Sequence, residues 1–366
     1  MQFLISREAL LKPLQLVAGI VERRQTQPIL SNVLLVLRDG RLALTCTDNE
    51  VELVGRVPVD EQQQAGEITV PARKLVDICK SLPDNANINL CTDNQKMIIK
   101  SGRSRFTLST LPAGDFPCAE DNANTLRFAL QQGQLKRLID AVAFSMAQQD
   151  VRYYLNGMLL EVASDHVRSV ATDGHRLALC TLSVPVEGTA LRQAILPRKG
   201  VLELARFLND SEQVNIMLGS NHLRAQTEEF TFTTKLLDGK FPDYERVLPR
   251  GGANTIITDR QALRSAFARA SILSSEKYRG VRLLLENNQL TLTANNPEQE
   301  EAEESLLIDY SGAHLELGFN VSYLVDVLGV LTSSNVRITL GDSNSSALME
   351  SSEGSDALYV VMPMRF

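Results

Sequence analysis

The residues most suggestive of chemistry are Thr172-Asp173-Gly174-His175-Arg176. Asp beside His supplies two members of an acyl-transfer triad, and folding could bring in a serine such as Ser145. The competing reading is an Asp-Gly turn leaving a strand, which that dipeptide favours. Other enzyme signatures are missing. The only Gly-Lys pair, Gly239-Lys240, is followed by Phe241, so there is no phosphate loop. No G-x-G-x-x-G, H-E-x-x-H or G-x-S-x-G occurs. His166, His175, His222 and His314 show no metal-ligand spacing. Cys46, Cys79, Cys91, Cys118 and Cys180 are odd in number and form no C-x-x-C. That argues against a disulfide framework or a zinc site and for buried free thiols. Neither metal nor cofactor is expected, and the pattern points to a binding protein.

The elements that must position these residues repeat along the chain. Leu44-Thr45-Cys46-Thr47-Asp48 is matched by Ser169-Val170-Ala171-Thr172-Asp173. Val70-Pro71-Ala72-Arg73-Lys74 is matched by Leu196-Pro197-Arg198-Lys199, and Gly114-Asp115-Phe116-Pro117 by Gly239-Lys240-Phe241-Pro242. A fainter third copy shows Leu292-Thr293-Ala294-Asn295, Phe319-Asn320-Val321-Ser322 and Met362-Pro363. A spacing near 125 residues is domain-sized, far beyond solenoid periods. The reading is three copies, 1–120, 125–248 and 254–366. The triad loses ground here, because the places equivalent to Asp173-Gly174 hold Asp48-Asn49 and Asn295-Asn296.

Each copy is predicted to be α+β. Short strands come first (Gln2–Ile5, Arg127–Leu130, Thr255–Ile257). Helical faces follow: Leu10, Leu11, Leu14 and Val17; Leu135, Leu138, Ile139 and Val142; Leu263, Phe267 and Ala270. Alternating strands such as Asn32–Leu37 and Arg41–Thr45 come next. A second helix is expected from Pro71, Pro197 or near Asn320, with proline in the first turn.

The 366 residues carry 37 Lys and Arg against 44 Asp and Glu, a net charge of −7. Taken whole, that opposes general nucleic-acid binding. The charge is segregated, however. The six predicted helix windows hold 15 basic against 8 acidic residues, a surplus of +7, which leaves −14 for the remainder. Helices gathered on one surface would make it basic, as sequence-independent phosphate contact requires. Five Glu crowd Glu298–Glu304, whereas Lys96, Lys100, Arg103 and Arg105 form a basic series, read as one strand with Phe106 and Leu108 on its other face. Such complementarity suits head-to-tail association, with Ile272-Leu273 as an apolar anchor. The N-terminus Met1-Gln2-Phe3-Leu4-Ile5-Ser6-Arg7-Glu8 is not a secretory signal, and no apolar run spans a membrane. A cytoplasmic protein is expected.

Longer strings carry a family resemblance over the whole chain. Thr172-Asp173-Gly174-His175-Arg176-Leu177, Asp150-Val151-Arg152-Tyr153-Tyr154-Leu155-Asn156-Gly157, Asn295-Asn296-Pro297-Glu298-Gln299-Glu300 and Val360-Val361-Met362-Pro363-Met364-Arg365 closely resemble the bacterial DNA polymerase III beta subunit family, the sliding clamps. The resemblance implies three repeats of a two-helix, two-sheet DNA-clamp domain. It implies a homodimer whose two subunits close a head-to-tail ring around double-stranded DNA, without sequence preference and without catalysis. Its partners would be the polymerase III alpha subunit, the clamp loader and other clamp-binding-motif proteins, with no membrane, at the bacterial nucleoid. By resemblance, Arg24, Arg73, Gln149, Tyr153, Tyr154, Arg198 and Lys199 face DNA. Tyrosine rings can stack on exposed bases; the competing reading for one of the two is a core contact, since adjacent residues of a strand face opposite sides. A partner-peptide cleft would comprise Arg152, Leu155, Thr172, Gly174, His175, Arg176, Leu177, Pro242, Arg246, Val247, Asn320, Tyr323, Ser346, Val360, Met362, Pro363, Met364 and Arg365. Methionine repacks readily around different peptides. The dimer interface would comprise Lys74, Arg103, Arg105, Phe106, Leu108, Ile272, Leu273, Glu298, Glu300, Glu301 and Glu304. Phe366 and Asn344 depart from the family pattern near the cleft.

Overall fold

The computed structural model describes residues 1–22, 27–119, 125–187, 189–210, 212–249, 251–252, 254–354 and 356–365. Arg24 and Phe366 lie outside the described residues. The first third runs β1 (Gln2–Ser6), α1 (Arg7–Ala18), β2 (Asn32–Arg38), β3 (Arg41–Thr47), β4 (Val51–Pro58), β5 (Glu61–Gln64), β6 (Gly66–Pro71), α2 (Ala72–Ser81), β7 (Asn87–Asp93), β8 (Lys96–Ser101) and β9 (Ser104–Ser109). The second runs β10 (Leu126–Gln131), α3 (Gln132–Val142), β11 (Gly157–Val162), β12 (Val167–Thr172), β13 (Arg176–Leu182), β14 (Arg192–Pro197), α4 (Arg198–Phe207), β15 (Gln213–Leu218), β16 (His222–Gln226) and β17 (Phe230–Lys235). The third runs β18 (Asn254–Asp259), α5 (Arg260–Ala270), β19 (Gly280–Glu286), β20 (Gln289–Asn295), β21 (Glu301–Leu307), β22 (Leu315–Asn320), α6 (Val321–Val330), β23 (Asn335–Leu340), β24 (Ala347–Ser351) and β25 (Ala357–Val361). Among the described residues no helix is long and apolar enough to cross a membrane.

The same local chemistry starts corresponding helices. Ser6 and Asp259 end their strands and accept from the backbone N–H of Ala9 and Ala262, at 3.4 and 2.6 Å. These caps satisfy donors that a helix start leaves open. Leu10, Leu14 and Val17 then bury one face of α1, and Leu263, Phe267 and Ala270 one face of α5. Leu11, expected on the same face, is instead half-exposed. Pro71 and Pro197 do not enter the second helices. Each is the last residue of its strand, directly before α2 or α4. There the fixed proline φ suits the extended backbone and costs no helix hydrogen bond.

The chain packs as two compact units, Met1–Gly133 with Arg206–Leu236, and Gln134–Ala205 with Leu237–Phe366. In the first, a five-stranded sheet β5-β1-β7-β8-β9 accompanies an eight-stranded sheet β10-β15-β16-β17-β4-β3-β2-β6. In the second, β14-β11-β12-β13-β25-β24-β23-β18 accompanies β21-β20-β19-β22. Strands of different copies therefore share sheets. β4 pairs with β17 through Phe230↔Gly55 and Phe232↔Leu53, and β13 pairs with β25 through Leu177↔Val360 and Leu179↔Leu358. In each joint the strand after a Thr-Asp turn meets the last strand of the next copy. Of the remaining strands in those two positions, β9 and β21 each lie at a sheet edge.

The basic series of the first copy is not one strand. Lys96–Ser101 and Ser104–Ser109 form a hairpin whose turn is made by Gly102, at φ +54°, with Arg103 beside it. Lys100 and Arg105 are cross-strand partners, while Phe106 and Leu108 face Ile99 and Met97. Leu108 is accordingly buried within its own chain, and Phe106 is half-buried. The thiols of Cys46, Cys79 and Cys180 are buried as expected, but Cys118 is exposed.

An ion pair fixes the β13–β25 joint to α3. Arg137 donates from Nε and Nη2 to the two carboxylate oxygens of Asp356, at 3.1 and 2.7 Å. These bonds hold Asp356 below the usual carboxylate range despite its partial burial. A depressed folded pKa stabilises above the unfolded value of about 3.9 and stops doing so as pH falls through the folded value. Asp356→Ala is expected to lower stability by about 1 kcal/mol at pH 7. In urea melts the gap from the parent should close toward pH 2. A gap unchanged across that range would contradict the assignment.

Candidate functional site

Asp173 builds a turn. Its Oδ1 accepts the backbone N–H groups of His175 and Arg176 at 2.9 and 3.0 Å, and its Oδ2 accepts Arg176 Nε at 3.1 Å. The corresponding Asp48 accepts from the N–H groups of Glu50 and Val51, at 2.9 and 2.8 Å. The His175 ring stacks on Tyr323 at a centroid distance of 6.5 Å, and Ser145 is buried. Among the described residues, Asp173, His175 and Ser145 are not assembled into a relay. Gly174 sits at φ +89°, where a Cβ would lie 3.0 Å from the Arg152 guanidinium. The positive φ favours glycine; at the corresponding place Asn49 takes φ 75°.

This turn closes one end of an apolar sheet face. Register places Thr172, Leu177 and Val360 in one row. Leu159, Val170, Leu179 and Leu358 form the next row, then Glu161, Arg168 and Thr181. The segment after β17 covers part of this face: Phe241 and Tyr244 pack into a cluster with Leu159, Val170, Leu177, Leu179, Ile195 and Val360. Pro242, Arg246 and Val247 of that segment stay exposed, with Arg246 paired to Asp243 at 2.7 Å. Leu155 is buried. The C-terminal segment lies along the second side. Met362 N donates to the His175 carbonyl at 2.9 Å and Met364 N to that of Gly318 at 2.7 Å. Met362 is exposed, Pro363 and Met364 half-buried, and Arg365 exposed. Asn320 caps α6 by accepting from Ser322 N at 2.9 Å. Ser346 follows the Asp342–Ser345 turn, in which Asn344 N donates to Asp342 at 3.0 Å.

Arg176, expected among the residues of the cleft, is tied mainly to its own chain. It is largely buried, donating to Asp326 at 2.6 Å and to the Phe144 carbonyl at 2.7 Å. Its guanidinium also lies over the Tyr323 and Phe144 rings, 4.4 and 5.1 Å from the centroids. It ties β13 to α6 and holds Tyr323 against His175. Arg152 is likewise engaged, by Asp150 at 2.9 and 3.0 Å. That guanidinium, with the Arg152 backbone N–H, holds the Asp150 carboxyl down to about 2. Sequence reasoning did not single out Phe144, Asp326 or Tyr244, since none belongs to a repeated landmark, and it quoted Asp150 without assigning it a role.

The tyrosine pair stands on a short 3-10 turn, Tyr153–Leu155. Tyr153 is 52% exposed, while Tyr154 packs against the apolar cluster. Gln149, at φ 58°, is exposed close by. Arg198 begins α4 and donates to the carbonyls of Ala143 and Met146 at 3.4 and 3.3 Å; half-buried Lys199 follows it. In the first unit Arg73 is exposed on α2 and donates to the Val21 carbonyl at 3.2 Å, beside exposed Lys74. At the edge strand β21, Glu301 is exposed, as are Glu298 and Glu300 in the preceding turn. Glu304 is half-buried and bound by its own chain's Arg269, at 2.6 and 2.7 Å. Ile272 is 74% exposed and Leu273 half-buried, on the turn ending α5.

A turn-building aspartate, a stacked histidine and an apolar face bordered by methionine form a surface suited to binding rather than to acyl transfer. Family comparison specifies the kind of protein. Models of the DNA polymerase III beta subunit match in order: the N-terminal domain over residues 1–120, the central domain over 129–243 and the C-terminal domain over 245–365. A beta sliding clamp of Pseudomonas putida is 64% identical over 366 residues, 100% of each chain. The crystal structure of the Pseudomonas aeruginosa DNA polymerase III subunit beta is 61% identical, with a TM-score of 0.98 over 100% of both chains. A second Pseudomonas aeruginosa sliding-clamp structure, bound to griselimycin, is 62% identical, with a TM-score of 0.97 over 100% of both. The chain belongs to the DNA polymerase III beta subunit family, the sliding clamps. Its role is that of a non-catalytic processivity factor.

Proposed function

We propose that two copies of this chain close head-to-tail into a ring that encircles double-stranded DNA in the bacterial cytoplasm, at the nucleoid. In this reading each chain is three clamp domains, 1–120, 125–248 and 254–366. The observation that carries it is strand pairing. β4–β17 and β13–β25 join each copy to the next inside the chain, leaving edge strands β21 and β9 to make the third joint with a second chain. A second chain also covers two strand edges that would otherwise invite aggregation. Complementary charge supports it, with Glu298, Glu300 and Glu301 on one side and Lys74, Arg103 and Arg105 on the other. Phe106 and the Ile272-Leu273 turn add apolar contact, and Leu108 supports its strand from behind.

Arg24, Arg73, Gln149, Tyr153, Arg198 and Lys199 then contact DNA phosphate and bases without reading sequence, and Tyr154 anchors the turn beneath Tyr153. The apolar face between Pro242–Val247 and Met362–Arg365 takes short peptides of the polymerase III alpha subunit, the clamp loader and other clamp-binding-motif proteins. His175 and Tyr323 shape its wall. DNA contact is tested by salt dependence. Arg73→Ala with Lys199→Ala should flatten the slope of log affinity against log salt by about 2. An unchanged slope would remove both residues from the DNA surface.

A further inference from the structure

We infer that the peptide cleft continues into a second groove on the same sheet face, which takes the residues flanking a partner's anchor and prefers them basic. This rests on the cleft reading above. The groove holds about 570 Å³. Its apolar wall is Leu179, Leu358 and Leu248, and Thr181 and Ser183 offer hydroxyls. Leu179 and Leu358 lie one row from Leu177 and Val360 of the cleft, and Thr181 lies two rows away. Two rows are four residues, about 13 Å of strand, so about four extended peptide residues reach from one to the other. The segment 244–248 borders the groove with Tyr244, Glu245 and Leu248, while Arg246 and Val247, exposed in the same segment, belong to the cleft on the reading above.

Charge selects the occupant. Arg168 is occupied, donating to Thr181 Oγ1 at 2.8 Å, to Tyr244 Oη at 2.9 Å and to buried Glu161 at 3.3 Å. Asp356 is occupied by Arg137, and Arg246 by Asp243. Glu245 is exposed and makes no ion pair with any described residue. The groove therefore keeps one uncompensated carboxylate beside an apolar wall. A flank with one aliphatic side chain and a neighbouring Lys or Arg complements it.

Fluorescence anisotropy on the full-length protein tests this with a labelled clamp-binding-motif peptide. Two series carry a four-residue extension, Gly-Leu-Lys-Lys or Gly-Leu-Glu-Glu, at either terminus. In one series the lysine form should bind roughly threefold tighter than the glutamate form at low salt. Glu245→Lys should reverse that order, and Ser183→Trp should abolish the gain by filling the groove. Both variants should bind the unextended peptide as the parent does. Extensions without charge preference in either series, or a preference untouched by Glu245→Lys, would overturn the inference. Failure of the unextended peptide to bind would instead overturn the cleft reading, and this extension with it.

Discussion

Ile272→Ala combined with Leu273→Ala yields a monomer in sedimentation at micromolar concentration. Ile272 is 74% exposed on a turn that packs beside edge strand β21, a poor position for an isoleucine in a free subunit. Leu307, 89% exposed at the end of the same strand, shares the problem. Covering a large aliphatic side chain contributes about 1.5–3 kcal/mol. A closed ring carries each contact twice, so the double substitution should weaken the dimer on the order of ten-thousand-fold. Charge substitutions should do less, because exposed ion pairs contribute about 1 kcal/mol or less. Glu304 should matter least of the glutamates, being bound by Arg269 of its own chain. Folding should survive, since the exposed turn supports little of the core. A double variant that sediments as a dimer like its parent would refute the interface.

Ending the chain after Val361 abolishes peptide binding while the dimer persists. The removed segment is held by two backbone hydrogen bonds, to His175 and Gly318, and presents Met362 and Met364 along the apolar face. Anchoring contacts of this kind cost about 2 kcal/mol or more when truncated, a loss of at least about thirtyfold. The stability cost should be small, because the cluster around Leu177, Tyr244 and Val360 stays intact. Anisotropy with a clamp-binding-motif peptide measures the loss, and sedimentation shows that the dimer survives. Affinity within twofold of the parent would move the peptide site elsewhere.

What could be read from sequence was local. The Thr-Asp landmarks are turns in which Asp48 and Asp173 accept backbone N–H groups two and three residues on, so short strings sufficed. Both tyrosines were expected at the DNA, with a core contact for one as the alternative; Tyr154 takes that alternative, on a 3-10 turn that holds both rings rather than on a strand. The hairpin at Gly102 was hidden, because basic residues continue on both sides of a tight turn. Arg176 escaped for a different reason. Its partners Phe144 and Asp326 stand 32 and 150 residues away, and nothing in its neighbourhood announces burial. The joining of copies into shared sheets is non-local in the same sense, as in Phe230 opposite Gly55.

The net charge of −7 first spoke against DNA, yet a ring needs basic groups only where it faces the duplex. Topology is the direct test of that ring. The protein is loaded on nicked circular DNA with a clamp loader, and the DNA is then cut once. Protein retained on the circle should be lost from the linear form within minutes, by sliding off the ends. Equal retention on both forms would contradict encirclement.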